Sequence, residues 1–179
     1  MSHLPKNPNL NIKFDESKLK DIYLAGGCFW GVEAYLERVP GVAYASVGYA
    51  NGHAPMPTYR AVCTGETGYT EAVHIKYDPE MLTLEKLLSI FYGLIDPTAL
   101  NRQGNDRGTQ YRSGIYYTDD ADYPTIDKVT SQIQSGLDAV VVTETEPLKN
   151  YVLAEEYHQK YLEKNPGGYC HISLAPLES

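Results

Sequence analysis

Ile22-Tyr23-Leu24-Ala25-Gly26-Gly27-Cys28-Phe29-Trp30-Gly31 begins as an apolar, strand-like run, breaks at two glycines and continues as a helix. The helical reading rests on Val32, Tyr35, Leu36 and Val39, which recur at helical spacing until Pro40-Gly41 stops the run. Beyond that stop, Val42, Tyr44, Ser46 and Gly48 alternate with small apolar neighbours and predict a further strand. Strand over 18–25, helix over 28–39 and strand over 42–49 make one βαβ unit. A second unit is predicted downstream, with a strand over 113–117, an amphipathic helix over 120–137 and a strand over 140–145. Two such units imply an α+β chain with an antiparallel or mixed sheet and helices on one face.

Between the units, a Gly- and Pro-rich loop over 51–57 leads to a short helix over 59–63 and a strand over 69–77. Leu84, Leu87, Leu88, Phe91, Leu94 and Ile95 then form an apolar helical stripe that ends at Asp96-Pro97 and reads as core. A short polar helix is expected over 155–164. The loop Asn165-Pro166-Gly167-Gly168-Tyr169 follows it and places Cys170 on a flexible tail.

Bulk properties narrow the function. A chain of 179 residues, 42% hydrophobic and 21% charged, fits one domain over 18–179, with residues 1–17 as a flexible N-terminal arm. The formal net charge of -8 disfavours nonspecific binding to nucleic acid or to an anionic membrane. Apolar runs such as Ala139-Val140-Val141-Val142 are far too short to span a bilayer. The polar start Met1-Ser2-His3-Leu4-Pro5-Lys6 lacks a signal-peptide core, so a cytoplasmic location is expected. Three widely separated cysteines without a Cys-x-x-Cys pair argue against a disulfide scaffold and against a structural zinc site. A redox or nucleophilic thiol remains.

Cys28 is the first candidate. In a helix's first turn, unpaired N–H groups and the positive end of the dipole favour a thiolate, the nucleophilic form. An arbitrary cysteine beside a strand-to-helix turn is more often a buried structural residue. The adjacent Phe29-Trp30 weighs against that, because two consecutive aromatics on one helical turn cannot both face the same core, leaving at least one beside the thiol as an apolar wall. Glu71 is the second candidate. Period-two alternation places its carboxyl on the face of Val73, Ile75 and Tyr77, where burial raises the pKa and keeps a proton near neutral pH. From the residues alone, an exposed strand end with an ordinary pKa is equally open. The run over 101–112, crowded with Arg102, Asn105, Asp106, Gln110, Tyr111 and Arg112, reads by itself as solvated loop.

Gly27-Cys28-Phe29-Trp30-Gly31 resembles the signature of the A-type peptide methionine sulfoxide reductases, which reduce the S epimer of methionine sulfoxide. The likeness continues through Pro55-Met56-Pro57-Thr58-Tyr59-Arg60, Thr67-Gly68-Tyr69-Thr70-Glu71-Ala72-Val73, Arg102-Gln103-Gly104-Asn105-Asp106, Gly108-Thr109-Gln110-Tyr111-Arg112-Ser113 and Gly168-Tyr169-Cys170, nearly the whole chain after residue 20. The resemblance implies a two-layer α+β sandwich of ferredoxin-like βαβ units, with a mixed sheet and a long coil-rich C-terminal segment. It implies that residues 18–179 form one catalytic domain that repairs oxidised proteins. Cys28 is then the nucleophile, Glu71 the proton donor, and Tyr59 and Tyr111 the donors to the sulfoxide oxygen. Phe29 and Trp30 clasp the methyl group, and Asp106 contacts the substrate backbone. The Cys28 sulfenic acid condenses with Cys170, and thioredoxin or another dithiol reduces the disulfide. Free and protein-bound methionine sulfoxide are the substrates; no metal or other cofactor, and a monomer, are expected. Cys63 reads as a free structural cysteine.

Two other functions remain open from the residues. A cysteine hydrolase would pair Cys28 with a histidine; His74 lies on the strand face opposite Glu71, His158 in a charged helix and His3 in the arm, while His53 and His171 fall in loops. A peptide-binding module would use Phe29-Trp30 with an incidental thiol.

Overall fold

The computed structural model describes residues 4–178. In chain order its elements are β1 (Lys20–Ala25), α1 (Phe29–Leu36), β2 (Val42–Ala50), α2 (Tyr59–Val62), β3 (Thr70–Tyr77) and α3 (Leu84–Leu94). There follow β4 (Arg102–Gln103), β5 (Asp106–Arg107), β6 (Gly114–Tyr117), α4 (Tyr123–Ser135), β7 (Glu144–Pro147), β8 (Tyr151–Leu153) and α5 (Tyr161–Lys164). Six strands form one sheet in the order β7-β6-β1-β3-β2-β8, and β4 with β5 makes a separate small hairpin. β3 lies between β1 and β2 and pairs antiparallel with both, so α1 crosses over between two parallel strands. β1 in turn separates β3 from β6, so α3 lies on a second split βαβ crossover. β6 and β7 pair in parallel across α4 and make the sheet mixed. This is the ferredoxin-like α+β sandwich that the resemblance implies; its second split unit is β3-α3-β6, whereas the unit predicted over 113–145 is the β6-α4-β7 extension at the sheet edge.

Alternation along the strands decides which side carries the helices. Ile22 and Leu24 of β1, Val47 and Tyr49 of β2 and Val73, Ile75 and Tyr77 of β3 are buried with Val32 and Leu36 of α1, Leu87, Leu88 and Phe91 of α3 and Ile126 and Val129 of α4. Each such side chain contributes about 1.5–3 kcal/mol by leaving water. On the opposite face Ala25, Ala50, Ala72 and Tyr116 are buried beneath Tyr23, Leu148 and Tyr151. Flat tyrosine rings cover that side where helices cover the other.

Several boundaries differ from expectation, and each has a physical reason. The helix expected over 155–164 is divided: a 3-10 turn spans Glu156–His158 and α5 begins after Lys160, which holds a left-handed backbone (φ 54°). β8 was not predicted; its three residues follow Lys149-Asn150 and pair with the end of β2. The strand expected over 140–145 begins only at Glu144, because pairing with β6 sets its register. The loop over 101–112 contains the β4/β5 hairpin. The arm carries 3-10 turns at Pro8–Asn11 and Glu16–Lys18, and the buried Asn9 donates to Glu37 O and Val39 O while accepting from Gly41 N. Among the described residues no helix is long and apolar enough to cross a membrane.

Candidate active site

α1 begins where β1 ends, and its first turn organises the site. Cys28 is the N-cap but makes no side-chain cap. The free Phe29 N–H donates instead to Glu71 Oε1 at 3.1 Å, and the field of the Trp30 N–H favours the Cys28 thiolate. One helix end therefore carries both candidate reacting groups, Cys28 as its N-cap residue and Glu71 on its free Phe29 N–H. Glu71 is 1% exposed, and its Oε2 is buried with no hydrogen-bond partner. Burial foremost pushes its pKa to about 8; the Phe29 N–H opposes this and the field of Asp106 adds to it. The carboxyl is mostly protonated at neutral pH, with one oxygen aimed at an unfilled partner.

Cys28 corrects the thiolate expectation. Burial raises its pKa well above the ordinary thiol value, and the nearby Glu71, Asp106 and Cys170 raise it further, outweighing the Trp30 N–H. The resting residue is a thiol. Two positive features, a helix end and one N–H, do not compensate for desolvation.

The expected partners surround this pair. Tyr59 opens α2, whose Thr58 cap accepts from the Ala61 N–H, and Tyr111 closes a 3-10 turn. Burial first and Glu71 second raise the pKa of both phenols, so both stay neutral donors. Asp106 leads β5 and keeps Oδ2 buried and unpartnered, and its charge adds to burial in raising the pKa of Tyr169. Phe29 is buried and Trp30 half-buried, as the two-aromatic argument requires. Cys170 is half-buried. Its thiol donates to Ile172 O at 3.0 Å, and a methyl carbon placed on Gly31 would stand 2.9 Å from Cys170 Sγ. All three cysteines are free. Cys63 is exposed, and its field reaches Tyr59, so it stands at the rim of the site and is not a core cysteine.

Residues outside the quoted motifs complete the wall. His158, expected in a charged helix, is 0% exposed and accepts the Trp30 indole N–H at Nδ1 over 2.9 Å. Its ring lies 4.3 Å from Tyr59 and 5.2 Å from Phe29. Tyr161 stacks on Trp30 at 3.7 Å. Glu155 accepts from the Tyr49 hydroxyl at 2.7 Å and from the Tyr59 N–H at 2.9 Å, tying α2 to the sheet. The only sequence signal for this wall was the aromatic density of Tyr157-His158-Gln159-Lys160-Tyr161 in an otherwise polar stretch. Of the other histidines, His74 pairs with Asp21 on the opposite sheet face, His53 packs beside Gly68, His171 meets Gly26 O and His3 lies outside the described residues. A groove of about 710 Å³ between Phe14, Tyr44 and His74 lies on the opposite face; the chemistry, not the volume, marks the site.

A buried thiol sharing a helix end with a proton-bearing carboxylic acid, inside a pocket of aromatic rings and neutral phenols, defines a thiol-dependent oxidoreductase. The comparisons specify which. A family model described as peptide methionine sulfoxide reductase matches residues 20–179. The chain is 58% identical over 156 residues to the peptide methionine sulfoxide reductase MsrA of Clostridium botulinum (strain Okra / Type B1), covering 87% of this chain and 99% of that one. It is similar to reduced Mxr1 from Saccharomyces cerevisiae (TM-score 0.84, 39% identity, covering 94% of this chain and 98% of that one). It also matches Mxr1 in complex with Trx2 (TM-score 0.60, 30% identity, 85% and 91% covered). The chain belongs to the peptide methionine sulfoxide reductase family, on the MsrA side, and its activity is the thiol-dependent reduction of methionine sulfoxide.

Proposed function

We propose that Cys28, Glu71, Tyr59 and Tyr111 reduce the S epimer of free and protein-bound methionine sulfoxide, and that Cys170 resolves the product. The observation that carries this reading is the buried Glu71 carboxyl, held by the Phe29 N–H at the α1 N-terminus beside Cys28, with its Oε2 free of any partner and its pKa raised by burial. Cys28 Sγ bonds to the sulfoxide sulfur while Glu71 gives its proton to the sulfoxide oxygen, and the Cys28 thiol proton replaces the one Glu71 has lost. The sulfur–sulfur bond to substrate then breaks as the hydroxyl passes to Cys28. Methionine leaves, reduced by two electrons, and Cys28 becomes a sulfenic acid, oxidised by two. Tyr59 and Tyr111 donate to the oxygen as charge grows on it, a task suited to neutral phenols.

Phe29 and Trp30 take the methyl group, and the free Oδ2 of Asp106 accepts from the substrate backbone. Cys170 condenses with the sulfenic acid, releasing water and closing a Cys28–Cys170 disulfide. The Trx2 complex of Mxr1 supports a thioredoxin as the external reductant, with no bound cofactor in the cycle. Three free thiols support a reducing, cytoplasmic setting. The chain acts as a monomer, with residues 18–179 as the catalytic unit. The test is single-turnover methionine formation in Glu71→Gln and Cys28→Ser. Loss of about 10²–10⁴-fold in the first and of all product in the second is expected; wild-type rates in either would overturn the assignment.

A further inference from the structure

The three residues Cys170-His171-Ile172 alternate in direction. Cys170 and Ile172 face α1: a methyl carbon on Gly31 would stand 2.9 Å from Cys170 Sγ and 3.6 Å from Ile172 Cβ, and Ile172 is buried in the core. His171 faces the other way, into the turn that precedes Cys28. Its Nε2 meets Gly26 O at 3.0 Å, and its other ring nitrogen is buried without a partner, which makes the ring a single-donor clip. A methyl carbon on Gly27 would stand 3.2 Å from His171 Nε2, and one on Gly104, in the β4/β5 turn, 3.3 Å from His171 Cβ. Both glycines have positive φ, 88° and 58°, so the turns come close where a side chain is excluded. The tail is thus gripped from two sides, with the thiol of Cys170 on one and the ring of His171 on the other.

We propose that His171 is a positioning residue for the resolving step, holding Cys170 within reach of Cys28 by hydrogen bonding to Gly26 two residues before it. The inference rests on the reading of Cys170 as the resolving thiol. The step is Cys28 sulfenic acid plus Cys170 thiol giving the disulfide and water; His171 exchanges no proton or electron in it. Its contribution is orientation: a thiol held near the electrophile closes faster than one that must search from a loose tail.

Fully reduced protein is mixed with the S epimer of a blocked methionine sulfoxide without reductant, and methionine release, thiol loss and trapping of sulfenic acid by a 1,3-diketone are followed in time. His171→Ala is expected to release one methionine per chain at the wild-type rate, while disulfide closure slows about tenfold or more and trapping rises. His171→Gln, whose amide can donate to Gly26 O, recovers much of the closure rate. Cys170→Ser serves as the check on the underlying reading and should release methionine without closing any disulfide. If Cys170→Ser still closes a disulfide on Cys28 at the wild-type rate, the resolving assignment fails. If Cys170→Ser stalls but His171→Ala closes normally, the positioning role is overturned. Equal slowing of methionine release and closure, or no recovery in His171→Gln, overturns it as well.

Discussion

Glu71 and Cys28 show how one helix end serves two groups with opposite needs. Burial and Asp106 raise Glu71 to about 8, so the folded protein holds this proton far more tightly than the unfolded chain. That stabilisation is complete below the ordinary glutamate pKa, declines as pH rises above it and is lost through about 8. Glu71→Gln does not titrate. It is expected to gain stability on wild type by roughly 2–5 kcal/mol between about pH 5 and about pH 9, read from urea unfolding; a difference flat with pH would contradict the buried acid. The acid form is also the competent one, so single-turnover methionine formation should fall as pH rises through about 8. Cys28, raised by burial and then by Glu71, is a thiol at rest. At neutral pH the exposed Cys63 should therefore alkylate faster than Cys28. Peptide mapping after brief iodoacetamide treatment reads both, and a Cys28 that reacts first would restore the thiolate reading.

At the scale of elements, the 155–164 segment and α1 form one wall. Glu33 accepts the Lys160 N–H at 2.8 Å, Glu37 accepts from Lys160 Nζ, and between them Lys160 takes its left-handed turn and presents Tyr161 to Trp30. His158→Ala would leave the Trp30 indole N–H without its partner and a void between Phe29 and Tyr59. A loss of about 2–4 kcal/mol in stability and a raised KM are expected; unchanged KM would separate the wall from substrate binding. Little of this wall was legible in the sequence. Glu155 and His158 act on partners about a hundred residues away, and neither periodicity nor spacing reports such pairing. Cys28 and Glu71 were legible because each lies at a boundary or on a face that local pattern defines: the strand-to-helix break and the Val73, Ile75, Tyr77 alternation. The thiolate expectation failed for the same reason that the wall was missed, since the groups that bury and surround Cys28 come from β3, β5 and the tail.

Across the whole molecule, the first βαβ unit of the ferredoxin-like core could be read from the sequence, whereas the second, β3-α3-β6, closes only around β1, and β8 and the β4/β5 hairpin are too short to carry a pattern. The N-terminal segment carries a further long-range tie, the three buried hydrogen bonds of Asn9 to the end of α1 and the turn before β2. Asn9→Ala should cost about 2–4 kcal/mol in unfolding free energy with little change in single-turnover rate; an unaltered unfolding curve would show the tie to be dispensable. The most direct measurement of the central claim uses the intact reduced protein with an excess of the S epimer of a blocked methionine sulfoxide and no reductant, followed by methionine quantitation, thiol counting and disulfide mapping. The account predicts one methionine per chain, a Cys28–Cys170 bridge and a free Cys63. No methionine with three intact thiols, or a bridge that leaves Cys170 free, would contradict it.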